Sequence, residues 1–335
     1  MSTFTALLVG AGGMGQRWAR ALSGRPDVTL AGWVDIVEES AVAAAARLGL
    51  QGVEISTDLE GAIDRLGPDF VVDVTVPDAH FAVTTTSLER RIPVLGEKPM
   101  AATMAEARSL VELSERTGKL FMVSQNRRYK RQLAALRRLV EVETGPVEHI
   151  SCQFFRAPHF GGFRDEMAHP LIEDMAIHHF DNARWLIDAD PVAVSCFEAN
   201  PSWSWYAGAA SATAVFEFEG GARVSYDASW CAEGADTSWE GTWRLIGPRG
   251  TAIWDGIGPP FADVVSDGGG HRRVDGVVDP MQPEDVDGSL DEFLAALTDG
   301  HAPMGECHDN IKSLAMTHAA VQSAVEGRRV AVTWS

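Results

Sequence analysis

Along the first 125 residues, short runs of apolar side chains alternate with stretches whose apolar positions recur at helical spacing. The apolar runs occupy 4–9, 28–34, 70–74, 93–95 and 120–123; between them lie 14–22, 38–48, 79–89 and 104–117, which carry the 3.6-residue period of amphipathic helices. Runs this short, rich in Val and Leu and without a polar face, predict parallel strands buried on both sides. Right-handed crossovers would then place helices on both faces of a doubly wound sheet. After Tyr129 the rhythm changes. A basic helix over 130–141 leads to a strand over 147–155 and a loop containing Gly161 and Gly162. A helix follows over 171–187, with Pro170 suited to its first turn. From 192 to 265 the pattern is mostly that of strands, at 212–218, 223–230, 239–246 and 251–254, with Glu219-Gly220-Gly221 as a hairpin turn. Residues 267–276, with three consecutive glycines, are predicted to form an exposed loop, and helices over 289–298 and 310–326 close the chain. The expected fold is α/β, with a doubly wound domain over 1–125 and an α+β domain over 126–335 built on one antiparallel or mixed sheet.

A chain of 335 residues suits two such domains. Its balance of 28 basic against 47 acidic residues, a net charge of −19, argues against nucleic acid and against anionic membranes as partners. The cysteines at 152, 196, 231 and 307 are scattered without a C-x-x-C pair, which fits a reducing compartment. The apolar run at 4–9 passes into a glycine-rich turn rather than a cleavage site, and no run of eighteen apolar residues occurs. A cytoplasmic protein with no membrane segment is expected.

Gly10-Ala11-Gly12-Gly13-Met14-Gly15 matches G-x-G-x-x-G between a predicted strand and a predicted helix, and Asp35 ends the next strand 20 residues after Gly15. That context makes a common glycine pattern specific. The glycines let backbone approach a pyrophosphate seated on the helix N-terminus, and Asp35 would accept hydrogen bonds from the adenosine ribose. A 2′-phosphate would meet that carboxylate, and Ile36 and Val37 supply no arginine to hold it, so NAD is expected in preference to NADP. Thr75-Val76-Pro77-Asp78-Ala79-His80, Gly96-Glu97-Lys98-Pro99 and Gln125–Tyr129 follow successive predicted strands and describe one rim, in which Thr75, Pro77, His80, Glu97 and Lys98 are further candidates for cofactor contact.

Lys98 stands out because only four of the 28 basic residues are lysines, and a compact ammonium at a strand end can donate to a substrate hydroxyl. Asp174, His178 and Asp181 share one face of the helix predicted over 171–187. A carboxylate one turn from an imidazole can fix its tautomer, as a general base requires. His179 falls on another face and is expected to be a packed core residue. His159, His169, Asp174, His178 and His179 lie within 21 residues, yet no H-E-x-x-H occurs and the adjacent histidines diverge, so no metal is expected. The tryptophans of the second half are expected to serve the core or a subunit interface, with Trp205 and Trp230 as candidates for the substrate cavity.

Together these motifs resemble the glucose–fructose oxidoreductase / inositol dehydrogenase / MocA-like family of NAD(P)-dependent oxidoreductases, over nearly the whole length. The resemblance rests on Gly10–Gly15, Pro77 to His80, Glu97-Lys98-Pro99, Arg128-Tyr129 and Asp174-x-x-x-His178-x-x-Asp181, and continues through 245–251, 292–303 and 313–327. It implies an N-terminal Rossmann domain and a C-terminal domain whose large open, mainly antiparallel sheet often mediates contacts, so a homodimer or homotetramer is expected. It further implies that Lys98 orients a reacting hydroxyl, His178 takes its proton and Asp174 orients His178, with hydride passing from a carbinol carbon of a sugar or polyol to the cofactor. Asp181 would contact substrate hydroxyls, with Arg128, Arg156 and His159 near them. Val76 departs from a proline common in the family, which touches loop shape. Two alternatives stay open on resemblance alone: a glycosidase that oxidises its substrate transiently, and a non-catalytic sensor of NAD or sugar.

Overall fold

In a computed structural model that describes residues 3–335, the two rhythms become two sheets. The first has six parallel strands, β1 (Phe4–Val9), β2 (Val28–Val34), β3 (Glu54–Ser56), β4 (Phe70–Asp73), β5 (Val94–Glu97) and β6 (Phe121–Ser124), in the order β3-β2-β1-β4-β5-β6. β4, β5 and β6 are buried at every position, as uninterrupted apolar runs require. Helices α1 (Gly13–Ser23), α2 (Glu38–Leu48), α3 (Leu59–Leu66), α4 (Pro77–Glu89) and α5 (Met104–Thr117) connect them. Local signals set the ends: at α5, Thr103 and Glu106 cap each other's backbone N–H groups, and Gly118 closes the helix in the left-handed region. β3 and α3 have no counterpart in the periodicity reading, because three half-buried residues and an eight-residue helix are too short to establish a period. Strand order reverses between β1 and β4, which leaves a crevice at their carboxyl ends.

The second sheet has nine strands: β7 (His149–Phe155), β8 (Pro191–Ala199), β9 (Ser211–Phe218), β10 (Arg223–Ser229), β11 (Thr242–Gly247), β12 (Gly250–Trp254), β13 (Phe261–Val265), β14 (His271–Asp275) and β15 (Val330–Ala331). Their order is β14-β13-β12-β11-β7-β10-β9-β8-β15, and every neighbouring pair is antiparallel except β7 with β10. One correction falls here. Residues 267–276 are not wholly loop: β14 pairs with β13, Arg272 opposite Val264, and the glycines form only the turn. An edge strand with both faces wet carries no apolar alternation, so its composition reads as loop.

α6 (Arg131–Leu139) runs into a π-turn over Val140–Thr144, and α7 (Phe163–Glu166) is a short helix. A second π-turn, Leu171–Ala176, leads into α8 (Ile177–Ile187). α8 packs on the inner face of the sheet, where Phe180 meets Phe216 and Tyr226 edge to face. The outer face leaves Phe197, Val215 and Ile246 exposed among polar and small residues. The chain closes with α9 (Asp285–Asp299) and α10 (Cys307–Glu326). Among the described residues, no helix is long and apolar enough to cross a membrane.

Two compact units result, Met1–Asn126 with Glu284–Ile311, and Arg127–Pro283 with Lys312–Ser335. Neither unit is contiguous in sequence. α9 belongs to the first unit because Phe293 packs edge to face on Phe70 of β4, 5.3 Å between ring centroids, and because Arg17 and Arg25 pair with Asp285 and Asp291.

Candidate functional site

In the first unit, the glycine turn between β1 and α1 is shaped from within. Gly10 has φ +103°, and a Cβ there would lie 2.6 Å from the carbonyl oxygen of Val74, beyond β4. A Cβ on Gly15 would lie 2.1 Å from the carbonyl oxygen of Gly10. Both glycines are therefore demanded by close backbone packing at the point where strand order reverses. Trp33, fully buried on β2, donates its indole N–H to the same Gly10 carbonyl at 2.9 Å. Gly12 and Gly13 differ: a Cβ on either meets nothing within 4 Å. Gly12 caps α1 without any side-chain hydrogen bond, and the first turn holds no acidic residue. The first N–H groups of α1 thus face open space with a favourable dipole, the setting for a phosphate. At the end of β2, Asp35 accepts hydrogen bonds from the N–H of Ala11 at 2.6 Å and of Val37 at 2.8 Å, which fixes its carboxylate beside the turn. These features fit a dinucleotide. Met14 is exposed at the start of α1.

The other strand ends carry a connected polar rim. Asp73, fully buried at the end of β4, accepts from the N–H and the hydroxyl of Thr75 and from the hydroxyl of Thr84 on α4. Periodicity gave no hint of Asp73, which sits inside an apolar run. Pro77 opens α4, and His80 on its first turn has Nδ1 2.6 Å from the carbonyl of Pro99 and Nε2 3.1 Å from that of Thr75. Its imidazole thereby ties the turn after β4 to the turn after β5. Glu97 is buried, accepts the indole N–H of Trp18 at 2.8 Å, and has its carboxyl pushed up by burial. Lys98 follows it, half-buried.

In the second unit, the candidates on α8 separate into two groups. Arg128 and Asp181 pair with each other: Nε and Nη2 donate to the two carboxylate oxygens at 2.6 and 2.7 Å, with both side chains nearly sealed from water. Ser313 of α10 donates to Asp181 Oδ1 at 2.6 Å, and Arg184 lies 3.7 Å from it. The expectation that these two residues face substrate therefore finds them in a core ion-pair network. His179 is buried as expected, its Nδ1 3.0 Å from the Tyr226 hydroxyl, with its pKa driven well below the ordinary value by burial and by the charge of Arg127. His178 lies in the first turn of α8 and is largely buried. Asp174 lies in the π-turn and accepts from Nε of Arg164 at 2.5 Å.

Around the segment that follows β7, aromatic rings form a chain. His159 stacks on Trp205 at 3.6 Å, Trp205 touches Tyr206, Tyr206 stacks on Trp230, and Phe160 contacts Trp230 and Trp239 at 5.9 Å. Arg156 lies over Trp239 at 4.5 Å and donates to the Thr237 carbonyl. The indole nitrogens of Trp205 and Trp230 are buried with no acceptor among the described residues, although an indole N–H ordinarily finds one. Arg164, over the ring of Phe160, joins this group and escaped the sequence reading, since it lies in no recognisable motif, and Trp239 was expected only for the core or an interface. Among the described residues, Glu306, Cys307 and His308 form the one cluster with metal-ligating donors close together, and it lies in the first unit, at the start of α10.

Comparison with known proteins bears on both units. Residues 4–125 match the family model described as an oxidoreductase family with an NAD-binding Rossmann fold, and residues 133–253 match that of the GFO/IDH/MocA C-terminal domain. The chain is 30% identical to the y4oX protein of Sinorhizobium fredii over 76% of its own length and 73% of that protein. It is 26% identical to an inositol 2-dehydrogenase of Rhizobium meliloti over 97% of this chain and 98% of the other. An oxidoreductase of Agrobacterium radiobacter, solved with NAD+, L-tartaric acid and magnesium, superposes with a TM-score of 0.88 at 20% identity and covers 99% of each chain, which shows a common fold.

Proposed function

We propose, for a chain that belongs to the GFO/IDH/MocA family of oxidoreductases, that it is an NAD-dependent dehydrogenase acting on a carbinol carbon of a sugar, polyol or related cyclic polyhydroxy compound. The observation that carries this reading is the pre-set glycine turn, with Gly12 and Gly13 open and Asp35 held beside them. Asp35 favours NAD: its carboxylate would bond the ribose hydroxyls and repel a 2′-phosphate, and Ile36 and Val37 offer no counter-charge. Gly10, Gly12, Gly13, Met14 and Gly15 form the phosphate turn, while Thr75, Pro77, His80 and Glu97 shape the strand ends around the cofactor.

Bound NAD supplies the hydride acceptor. Lys98 donates a hydrogen bond to the reacting hydroxyl and holds it in place. His178 accepts the hydroxyl proton as the carbon–hydrogen bond breaks, and Asp174 keeps the imidazole in the tautomer that can do so. Arg156, His159, Trp205 and Trp230 belong to the substrate's surroundings in this reading; aromatic faces suit the C–H faces of a sugar ring. The exposed Phe197, Val215 and Ile246 on the outer sheet face fit a homo-oligomer contact.

The test is the absorbance of reduced nicotinamide when the protein is incubated with NAD, then NADP, across inositols, aldoses, polyols and hydroxy acids. NADH should form with at least one substrate, and Lys98→Met should abolish it while NAD still binds. A flat panel from protein that demonstrably binds NAD would overturn the reading.

A further inference from the structure

The residues between β7 and the second π-turn carry no motif, yet they present a cation in a built setting. α7 lies just after Gly161 and Gly162, at φ +68° and +71°, and bears Arg164. Its backbone is pinned from one side: the N–H of Ala207 donates to the carbonyl of Asp165 at 2.7 Å, and that of Ala209 to the carbonyl of Ala168 at 2.8 Å. Gly208 between them runs so close that a Cβ would stand 2.1 Å from the Ala168 oxygen. The guanidinium of Arg164 lies over the rings of Phe160 and Phe163, 5.3 and 4.7 Å from their centroids. Its Nε donates to Asp174, while its two Nη groups donate to no described residue and a third of the side chain is open to water.

The neighbouring arginines are not in that state. Arg156 has Nη1 on the Thr237 carbonyl and Nη2 3.5 Å from Asp236. Arg127 is joined to the Trp239 carbonyl, to the Met175 sulfur and to Glu240. Arg164 alone of the three offers a pair of parallel donors. Phe160, beneath it, also touches Trp230, whose buried indole N–H has no acceptor among the described residues. In a chain of net charge −19, no diffuse positive field gathers anions, so recognition of one must be local.

We infer that Arg164 is the specificity-determining residue for a substrate that bears a carboxylate: an aldonate, a uronate or another polyhydroxy acid. The two Nη groups bind that carboxylate as a fork, the geometry for which guanidinium is suited, while Nε keeps its bond to Asp174. The positive charge between the two carboxylates offsets their mutual repulsion. The inference rests on the dehydrogenase reading for the hydroxyl chemistry, and adds the acid group.

Intrinsic tryptophan fluorescence of the full chain loaded with NAD reads binding without requiring turnover. The probes are matched pairs that differ in one terminal group, D-gluconate with D-glucitol and D-glucuronate with D-glucose. The wild type should bind at least one acid about tenfold or more tighter than its neutral partner, and Arg164→Gln should bring that ratio to within about twofold of one. Should Arg164→Gln not fold, Arg164→Lys keeps the charge without the fork and should still lower the ratio by about threefold or more. Equal affinities in the wild type, no binding of either acid, or a preference that survives the substitutions would each overturn the inference. Turnover separates the two readings. Acids bound through Arg164 with no NADH formed refute the dehydrogenase and leave this inference standing, whereas NADH from neutral polyols with no preference for acids does the reverse.

Discussion

Replacing Asp181 by asparagine tests whether the ion pair with Arg128 belongs to the core or to the substrate. Asparagine keeps the shape and one acceptor oxygen but removes the charge. Arg128 and Asp181 expose 3% and 1% of their side chains, and Arg184 lies 3.7 Å from the same carboxylate. The change therefore removes the negative charge that Arg128 and Arg184 share in the interior of the second unit. Breaking one side of a buried pair costs about 3–5 kcal/mol, because the stranded charge keeps its desolvation penalty and loses its partner. The substituted amide oxygen would still accept from Ser313, so we expect about 3 kcal/mol for Asp181→Asn and about 5 kcal/mol for Asp181→Ala. At roughly 2–4 °C per kcal/mol for a unit of this size, Asp181→Asn should lower Tm by about 6–12 °C. Thermal unfolding followed by circular dichroism measures it. Replacing both partners, Arg128→Met with Asp181→Leu, should recover part of the loss, since Arg128 is then removed together with its carboxylate while Arg184 keeps its bond to Ser313. A Tm within about 2 °C of the wild type, with turnover lost at low temperature, would refute the core assignment and return Asp181 to the substrate.

The glycine turn gives a paired prediction. Gly15→Ala should cost about 3 kcal/mol or more, because its Cβ meets backbone, whereas Gly12→Ala should leave Tm unchanged and weaken NAD binding about tenfold, read by fluorescence quenching. Asp35→Ser should raise the ratio of kcat/KM for NADP over NAD by about tenfold or more; an unchanged ratio would remove Asp35 from the ribose site. The buried, neutral His179 binds a proton less readily in the fold than in the unfolded chain, so unfolding takes up a proton in acid. Its contribution to stability is complete above the unfolded-state value of about 6.5 and falls as pH drops through that value toward the folded one. Urea midpoints at pH 7 and pH 5.5 should therefore differ less in His179→Asn than in the wild type.

What could be read from the chain alone depended on whether a residue's environment is set by its near neighbours. β1, β2, α2 and α5 begin and end where periodicity and capping residues put them, because burial on both faces or a capping box is a local pattern. The turn at Gly10–Gly15 was legible for the same reason. Asp73 was not, because a carboxylate at the end of an apolar run looks like any strand terminus until Thr75 and Thr84 fold back on it. Arg128 and Asp181 lie 53 residues apart, and only the packing of the chain behind Arg128 against α8 reveals that each satisfies the other. Asp181 was placed beside the substrate from helix-face spacing and family likeness and Arg128 from likeness, which say which residues share a side but not whether that side meets solvent or core.

Asp174 shows a subtler limit of the same kind. Positions 174 and 178 align on one face only if the backbone between them has the α period, and that segment instead begins in a π-turn over Leu171–Ala176. Hydrogen bonds from i to i+5 widen the helix, so each residue there rotates less about the axis than the α spacing of 174 and 178 assumes. From this turn the Asp174 carboxylate accepts the hydrogen bond of Arg164 on α7. In the proposed reaction one carboxylate thus serves the imidazole a turn away and fixes a cation at the substrate's side, so that the group that positions the base and the group that selects the substrate share a hydrogen bond.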